Sequence, residues 1–207
     1  MRFLKQQISA LRRFWKEGFL LDFYHCSLLF FFAGVAVYLL GLLFPSVVEE
    51  LVHAFQQMIL DKDVMDTLGN ISAWGLFINN WSASFLSILY GFLPFVFLSL
   101  YPLLLNGGTL GVFAAWYELA GESMGLFLAA ILPHGIFEIP AICIACALGL
   151  RLCMLLCRKL LRRQTECSVT EYLANALRCA LLLILPLLIL AAVVEAYLTP
   201  VLMGLMM

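Results

Sequence analysis

Charge is what this chain has least of. Asp, Glu, Lys and Arg make up 12% of its 207 residues, about half the roughly 25% usual in soluble domains. In their place stand 64% hydrophobic residues and a mean hydropathy of +1.03. So few charges cannot cover a water-facing surface, and several spans of ~20 residues leave no room for a separate soluble domain. A cleavable leader is not expected either. The basic N-terminal segment is too long, no small-residue cleavage pattern follows it, and the apolar run from Ser27 to Phe44 approaches spanning length. The seven cysteines (Cys26, Cys143, Cys146, Cys153, Cys157, Cys167 and Cys179) offer no pair placed for an extracellular disulfide. Cys143/Cys146 and Cys153/Cys157 have helical spacings that suit a metal, but they read as small apolar fillers between helices.

The few charges are unevenly spread. Arg2, Lys5, Arg12, Arg13 and Lys16 precede the first apolar run, and six more basic residues fall between Arg151 and Arg178, leaving only Lys62 elsewhere. By the positive-inside rule both clusters are cytoplasmic. The expected fold is an all-α polytopic membrane bundle of about five spans with proline-broken helices and its N-terminus inside. Residues 1–25 form a cytoplasmic basic amphipathic segment, with Leu4, Ile8, Leu11, Trp15 and Phe19 on one stripe facing the inner membrane surface. Residues 26–207 form the membrane domain. Span one covers about 27–44. An external amphipathic helix follows at about 46–60, capped by Ser46 and Glu49 and carrying the stripe Val48, Leu51, Phe55, Met58 and Ile59. Span two runs over about 76–105 with a kink at Pro94, and Asn106-Gly107-Gly108 reads as a turn. The piece 107–123 is barely long enough to cross. Gly107, Gly111 and Ala115 form a small-residue seam on it, usable within one bundle or between two copies as a homodimer. Span four is about 123–156, broken at Pro133 and Pro140. The basic loop 157–178 acts as a topology determinant rather than a nucleic-acid contact, and span five is about 179–203. Asn70-Ile71-Ser72 matches a glycosylation sequon, a weak signal.

Between Leu126 and Leu150 only His134 and Glu138 can ionise. Such groups cost roughly 2.5–3.5 kcal/mol each at membrane depth, and four residues apart they share one helix face. Rise-per-residue reckoning puts Glu118, Glu122, Glu195, Asn79 and Asn80 in the same outer half, so these groups converge in one polar pocket open to the outside. Three occupations stay open for it. One is a hydrogen-bonded clasp pairing His134 with Glu138 or Glu195, with protonated carboxyls capping the carbonyls freed by Pro133 and Pro140. The second is a divalent metal such as Zn2+ held by His134, Glu138, Glu195, Glu118 and Glu122. The third is a proton or ion pathway.

The chain resembles the stage II sporulation protein M family. The resemblance rests on Asn79-Asn80, Gly91, Asn106-Gly107 with Gly111, and above all Pro133-His134-Gly135-Ile136-Phe137-Glu138 followed by Ala141 and Gly149. It covers roughly residues 25–203. It implies a five-span protein of a bacterial or archaeal cell membrane, without established catalysis. The family's named member anchors the wall-degrading stage II sporulation proteins D and P at the septal membrane during engulfment. Many relatives belong to organisms that never form spores, so the resemblance transfers the motif and topology, and a scaffold role touching lipid and wall-remodelling partners.

Enzyme motifs are missing. His134-x-x-x-Glu138 is not the two-histidine HExxH pattern, and no G-x-S-x-G elbow occurs. The expected function is therefore a non-catalytic membrane scaffold with a buried polar or metal site. The alternatives are an ion or small-solute transporter, or a metal-dependent membrane enzyme using the same pocket. The transporter reading is weakened by five spans, which do not divide into equal repeats.

Overall fold

The computed structural model describes residues 2–61, 72–165 and 167–206. The sequon at Asn70 and the charges at Lys62, Asp63 and Asp66 fall outside the described residues. Every regular element among the described residues is helical. Helix α1 (Arg2–Phe14) passes through a π-helical turn (Trp15–Phe19) into α2 (Leu20–Leu43). The amphipathic segment expected over 1–25 is thus interrupted: Gly18 takes a φ of +112°, which an L side chain rarely adopts. Its buried face is Leu11, Phe14 and Phe19, while Leu4 and Ile8 lie exposed.

Helix α3 (Pro45–Asp61) starts one residue earlier than expected. Phe44, not Ser46, is the residue at the cap. Its carbonyl accepts from the amides of Val47 and Val48 at 3.1 and 3.3 Å, and Pro45 occupies the first helical position, where no N–H is needed. Val48 and Val52 bury against Ala115, and Phe55 meets Phe113 edge-on at 5.1 Å. Leu51, expected in the apolar stripe, faces outward.

The largest departure lies in the middle of the chain. Instead of one kinked span over 76–105, α4 (Ala73–Leu89) ends in a 3-10 turn (Tyr90–Phe92), and α5 (Leu100–Leu119) begins after an irregular stretch. Phe95 and Phe97 hold φ values of 67° and 53° there. This break is held from α6 (Met124–Leu160). The Phe95 amide donates to Cys157 Sγ at 3.0 Å, and Cys153 Sγ donates to the Leu93 carbonyl at 3.3 Å. The two cysteines therefore do more than fill space. Asn106-Gly107-Gly108 is not a turn but the interior of α5. The Asn106 amide donates to the Pro102 carbonyl at 2.7 Å, and the glycines let α5 lie on the backbone of α2. A Cβ at Gly107 would stand 2.6 Å from the Phe30 carbonyl oxygen. The Gly107/Gly111/Ala115 seam is thus buried within the chain.

Helix α6 runs unbroken through Pro133 and Pro140, although each proline leaves the carbonyl four residues earlier without its partner. The expected loop over 157–178 shrinks to a short connection, because α7 (Val169–Cys179) starts at Ser168, whose hydroxyl accepts from the Glu171 amide at 3.1 Å. Chain continuity then leads through a π turn (Ala180–Ile184) into α8 (Leu185–Val193), a second π turn (Val194–Leu198) and α9 (Thr199–Gly204).

Contacts fix the directions. Gly107 lies on Phe30 and Gly111 on Gly34, so α5 runs parallel to α2. Gly91 and Gly149 meet backbone to backbone, and a Cβ on Gly91 would strike the Gly149 carbonyl oxygen, so α4 runs beside α6. The core follows α6, whose stretch from Ala141 to Leu148 is buried throughout. Among the described residues, three helical stretches are long and apolar enough to cross a membrane: Phe3–Leu43, Met124–Leu160 and Val169–Gly204. That is fewer than the five spans expected: α4 is short at 17 residues, and α5, though 20 residues long, is diluted by Asn106, Gly107, Gly108 and Thr109. The chain is an all-α membrane helix protein.

Candidate metal centre

Two helices build the polar centre. On α6, His134 and Glu138 stand one turn apart on the same face. From the opposite segment Glu195 enters out of the second π turn. A π turn holds one residue more than the α-helical turn it replaces and so re-aims the side chains within it; such turns recur at functional sites. Its backbone is supported locally, since the Thr199 hydroxyl donates to the Val194 carbonyl at 3.3 Å.

One ligand atom from each of His134, Glu138 and Glu195 lies within 4.8 Å of the other two. Around a zinc ion bound at about 2.0–2.2 Å, donor atoms sit roughly 3–4 Å from one another, so a small contraction closes the set on one ion. Direct pairing is not what holds these groups. Among the described residues the ion pairs are Arg13–Glu17 and Arg151–Asp22, and neither includes the histidine. His134 Nδ1 is buried and makes no hydrogen bond. The hydrogen bond expected from His134 to Glu138 or Glu195 is therefore not formed. The two carboxylates face each other across a low-dielectric gap, where like charges repel strongly. A divalent cation, if bound by the imidazole and two carboxylates, would relieve both problems.

The other expected members of the pocket lie elsewhere. Glu118 and Glu122 are exposed and do not join the cluster. Helix α5 stops at Leu119, Gly121 turns the chain at φ +71°, and Ser123 caps α6 by accepting from the Gly125 amide at 3.1 Å. The depth reckoning treated 107–123 as one helix and so drew both carboxylates inward. Asn79 is exposed on α4 and donates to the Asn80 side-chain oxygen at 3.3 Å. Asn106 serves α5 itself and Gly107 serves the contact with α2. Pro133 precedes the histidine on α6. Gly135 is buried, yet a Cβ there would meet only Ile131 and Ile139 at ordinary distances, 3.6 and 3.5 Å. The two remaining histidines, His25 and His53, are exposed.

Sequence reading missed a second polar contact. Arg151 donates to Asp22 at 2.8 Å and to the Glu17 carbonyl at 3.3 Å, and its guanidinium lies 5.8 Å from the Phe14 ring centre. Beside it the buried Tyr172 hydroxyl donates to the Leu148 carbonyl at 2.6 Å. The signal was present: Arg151 sits inside the apolar string Leu148-Gly149-Leu150 to Leu152-Cys153 rather than with the basic cluster after Cys157.

The chain is 33% identical over 142 residues to an uncharacterized protein of Methanocaldococcus jannaschii, covering 68% of this chain and 79% of that one. No solved structure matches. The pattern of the stage II sporulation protein M family matches residues 27–200, and the chain belongs to that family.

Proposed function

We propose that this chain is a multi-pass cell-membrane scaffold of bacterial or archaeal type whose outer half is pinned by one divalent cation, zinc being the best fit. In this reading α2, α4, α5, α6 and the α7–α9 segment make five crossings with the N-terminus inside, which leaves both basic clusters on the cytoplasmic side. The observation that supports it most is the convergence of His134, Glu138 and Glu195 within 4.8 Å, with a buried imidazole nitrogen that has no hydrogen-bond partner. A bound ion would tie α6 to the π turn before α9. Rigidity of that kind suits an anchor, and α3 supplies a docking face: its Val48/Val52 side packs on α5 while Glu49, Glu50 and His53 point away. Wall-remodelling enzymes resembling stage II sporulation proteins D and P are the partners this reading favours.

One feature favours a second reading. Three protein ligands, with Glu118 and Glu122 remote, leave a coordination position open, as in catalytic zinc sites. A metal-activated water there would make the same centre hydrolytic. Metal analysis of the purified protein tests the common ground. Near-stoichiometric zinc that disappears in His134→Ala supports the site, and a metal-free protein that does not take up added zinc overturns it. Recovery of wall enzymes on pull-down from native membranes supports the scaffold, whereas hydrolytic turnover lost on Glu138→Gln supports the second reading.

A further inference from the structure

The bundle uses only part of the apolar stripe expected on α1. Leu11 and Phe14 are buried, and the Phe14 ring meets Phe19 at 4.8 Å and Tyr172 edge-on at 5.9 Å. On the same side Gln7 accepts from Arg178 Nε at 2.7 Å, so α1 is moored to α7 there. Leu4 and Ile8 are left uncovered, 54% and 38% exposed. Counting about 100° per residue, these two stand between the buried Leu11 and the basic pair Lys5 and Arg12. Helix α1 therefore has a second edge that the chain itself does not cover.

The cations on that edge are available. Lys5, Arg12 and Lys16 are exposed. Among the described residues the ion pairs are Arg13–Glu17 and Arg151–Asp22, so none of these three has an acidic partner, and none makes a hydrogen bond. Reach decides what such an edge can meet. Lys16 stands four residues before Leu20, where α2 starts, about 6 Å by rise per residue. Helix α2 belongs to a stretch apolar enough to cross a membrane, and Leu20 and Leu21 at its start are already 57% and 58% exposed. Gly18 turns α1 out of the line of α2, which keeps α1 at the bilayer surface. An exposed apolar edge bordered by unpaired cations matches a leaflet with anionic headgroups.

We propose that α1 is a two-sided clamp between the bundle and an anionic phospholipid surface. Leu4 and Ile8 enter the leaflet at the headgroup boundary, and Lys5, Arg12 and Lys16 face the anionic headgroups. Gln7, Leu11 and Phe14 stay on the bundle. Lipid charge thus governs how firmly α1 is seated, and with it the contact between α1 and α7. This role needs neither the metal centre nor a wall-remodelling partner.

Full-length protein in nanodiscs of phosphatidylcholine, alone or mixed with phosphatidylglycerol, tests it through hydrogen exchange of the α1 amides. Those amides are expected to exchange about tenfold more slowly in the anionic discs, and added salt should erase the difference by screening. Lys5→Gln, Arg12→Gln and Lys16→Gln together should remove the difference while exchange in the α6 core stays unchanged. Leu4→Ser with Ile8→Ser should remove most of it although every cation remains. Equal exchange in the two lipids, or a difference that survives either set of substitutions, overturns the proposal. Slowing of the same size in neutral discs on adding soluble polyphosphate would assign the cations to a soluble anion and overturn it too.

Discussion

Two ionisable clusters lie along α6, and they have been solved in opposite ways. Near its C-terminal end Arg151 has a carboxylate, a carbonyl and an aromatic face around it. Nearer its start His134, Glu138 and Glu195 gather with no ion pair and with an unbonded ring nitrogen. The first cluster is complete from the chain's own groups, so its role is to join α2 to α6. The second is incomplete by the same accounting, and a group kept at such cost without an internal partner points to something from outside the chain. Burial alone does not separate a structural polar group from a binding one. Satisfaction does.

That contrast can be broken most forcefully at Asp22. Asp22→Ala should leave Arg151 uncompensated and cost about 3 kcal/mol, the lower end of the range for removing one partner of a buried pair. Denaturant or thermal unfolding in detergent reads this, and the double change Asp22→Leu with Arg151→Met should recover most of the loss. Replacing the other cluster by leucine at 134, 138 and 195 should do the reverse. It should abolish zinc binding while raising the stability of the metal-free protein by about 1–4 kcal/mol, since apolar groups no longer face an uncompensated gap. A drop in stability of the metal-free form would instead mark the cluster as a structural clasp.

A gentler probe is acid. Protons compete with a metal for imidazole and carboxylate, so zinc affinity should fall steadily as pH is lowered, and release followed by a chromogenic chelator should show it. The Arg151–Asp22 junction needs no metal, so the stability lost on Asp22→Ala should be the same with and without chelator at neutral pH. Smallest of all, Glu118→Gln and Glu122→Gln should change stability by less than about 0.5 kcal/mol and leave the zinc content as it was. A loss of metal in either variant would draw those carboxylates back into the site.

Much of this was visible in the sequence, and the errors have local causes. Periodicity and length located the helices, and the isolated His134–Glu138 pair in an apolar run singled out α6 as the carrier of the site. Glu195 was placed only in the same outer half, with a depth about 10 Å off that of His134 by rise per residue; the π turn that brings it within 4.8 Å leaves no mark in the residue pattern. The break between α4 and α5 was misplaced. Asn106-Gly107-Gly108 has turn chemistry in water, but within the bundle Asn106 bonds back to Pro102 and the glycines serve contact with α2. The true break, at Leu93-Pro94-Phe95-Val96-Phe97, looks like continuous apolar helix. Its positive φ values at two phenylalanines are paid for by sulfur partners from α6, far away in sequence. Glu118 and Glu122 were drawn inward because depth was counted along a helix that ends at Leu119.

The extra residue in the Val194–Leu198 segment has a further consequence. Each residue along a helix turns the side-chain direction by about 100°, so deleting one upstream within that segment would return it to α geometry and swing the Glu195 carboxylate off its line toward α6. Loss of a single codon could thus break up the His134–Glu138–Glu195 cluster while every helix kept its place. Within a lineage, chain length at this spot would record whether the centre is in use.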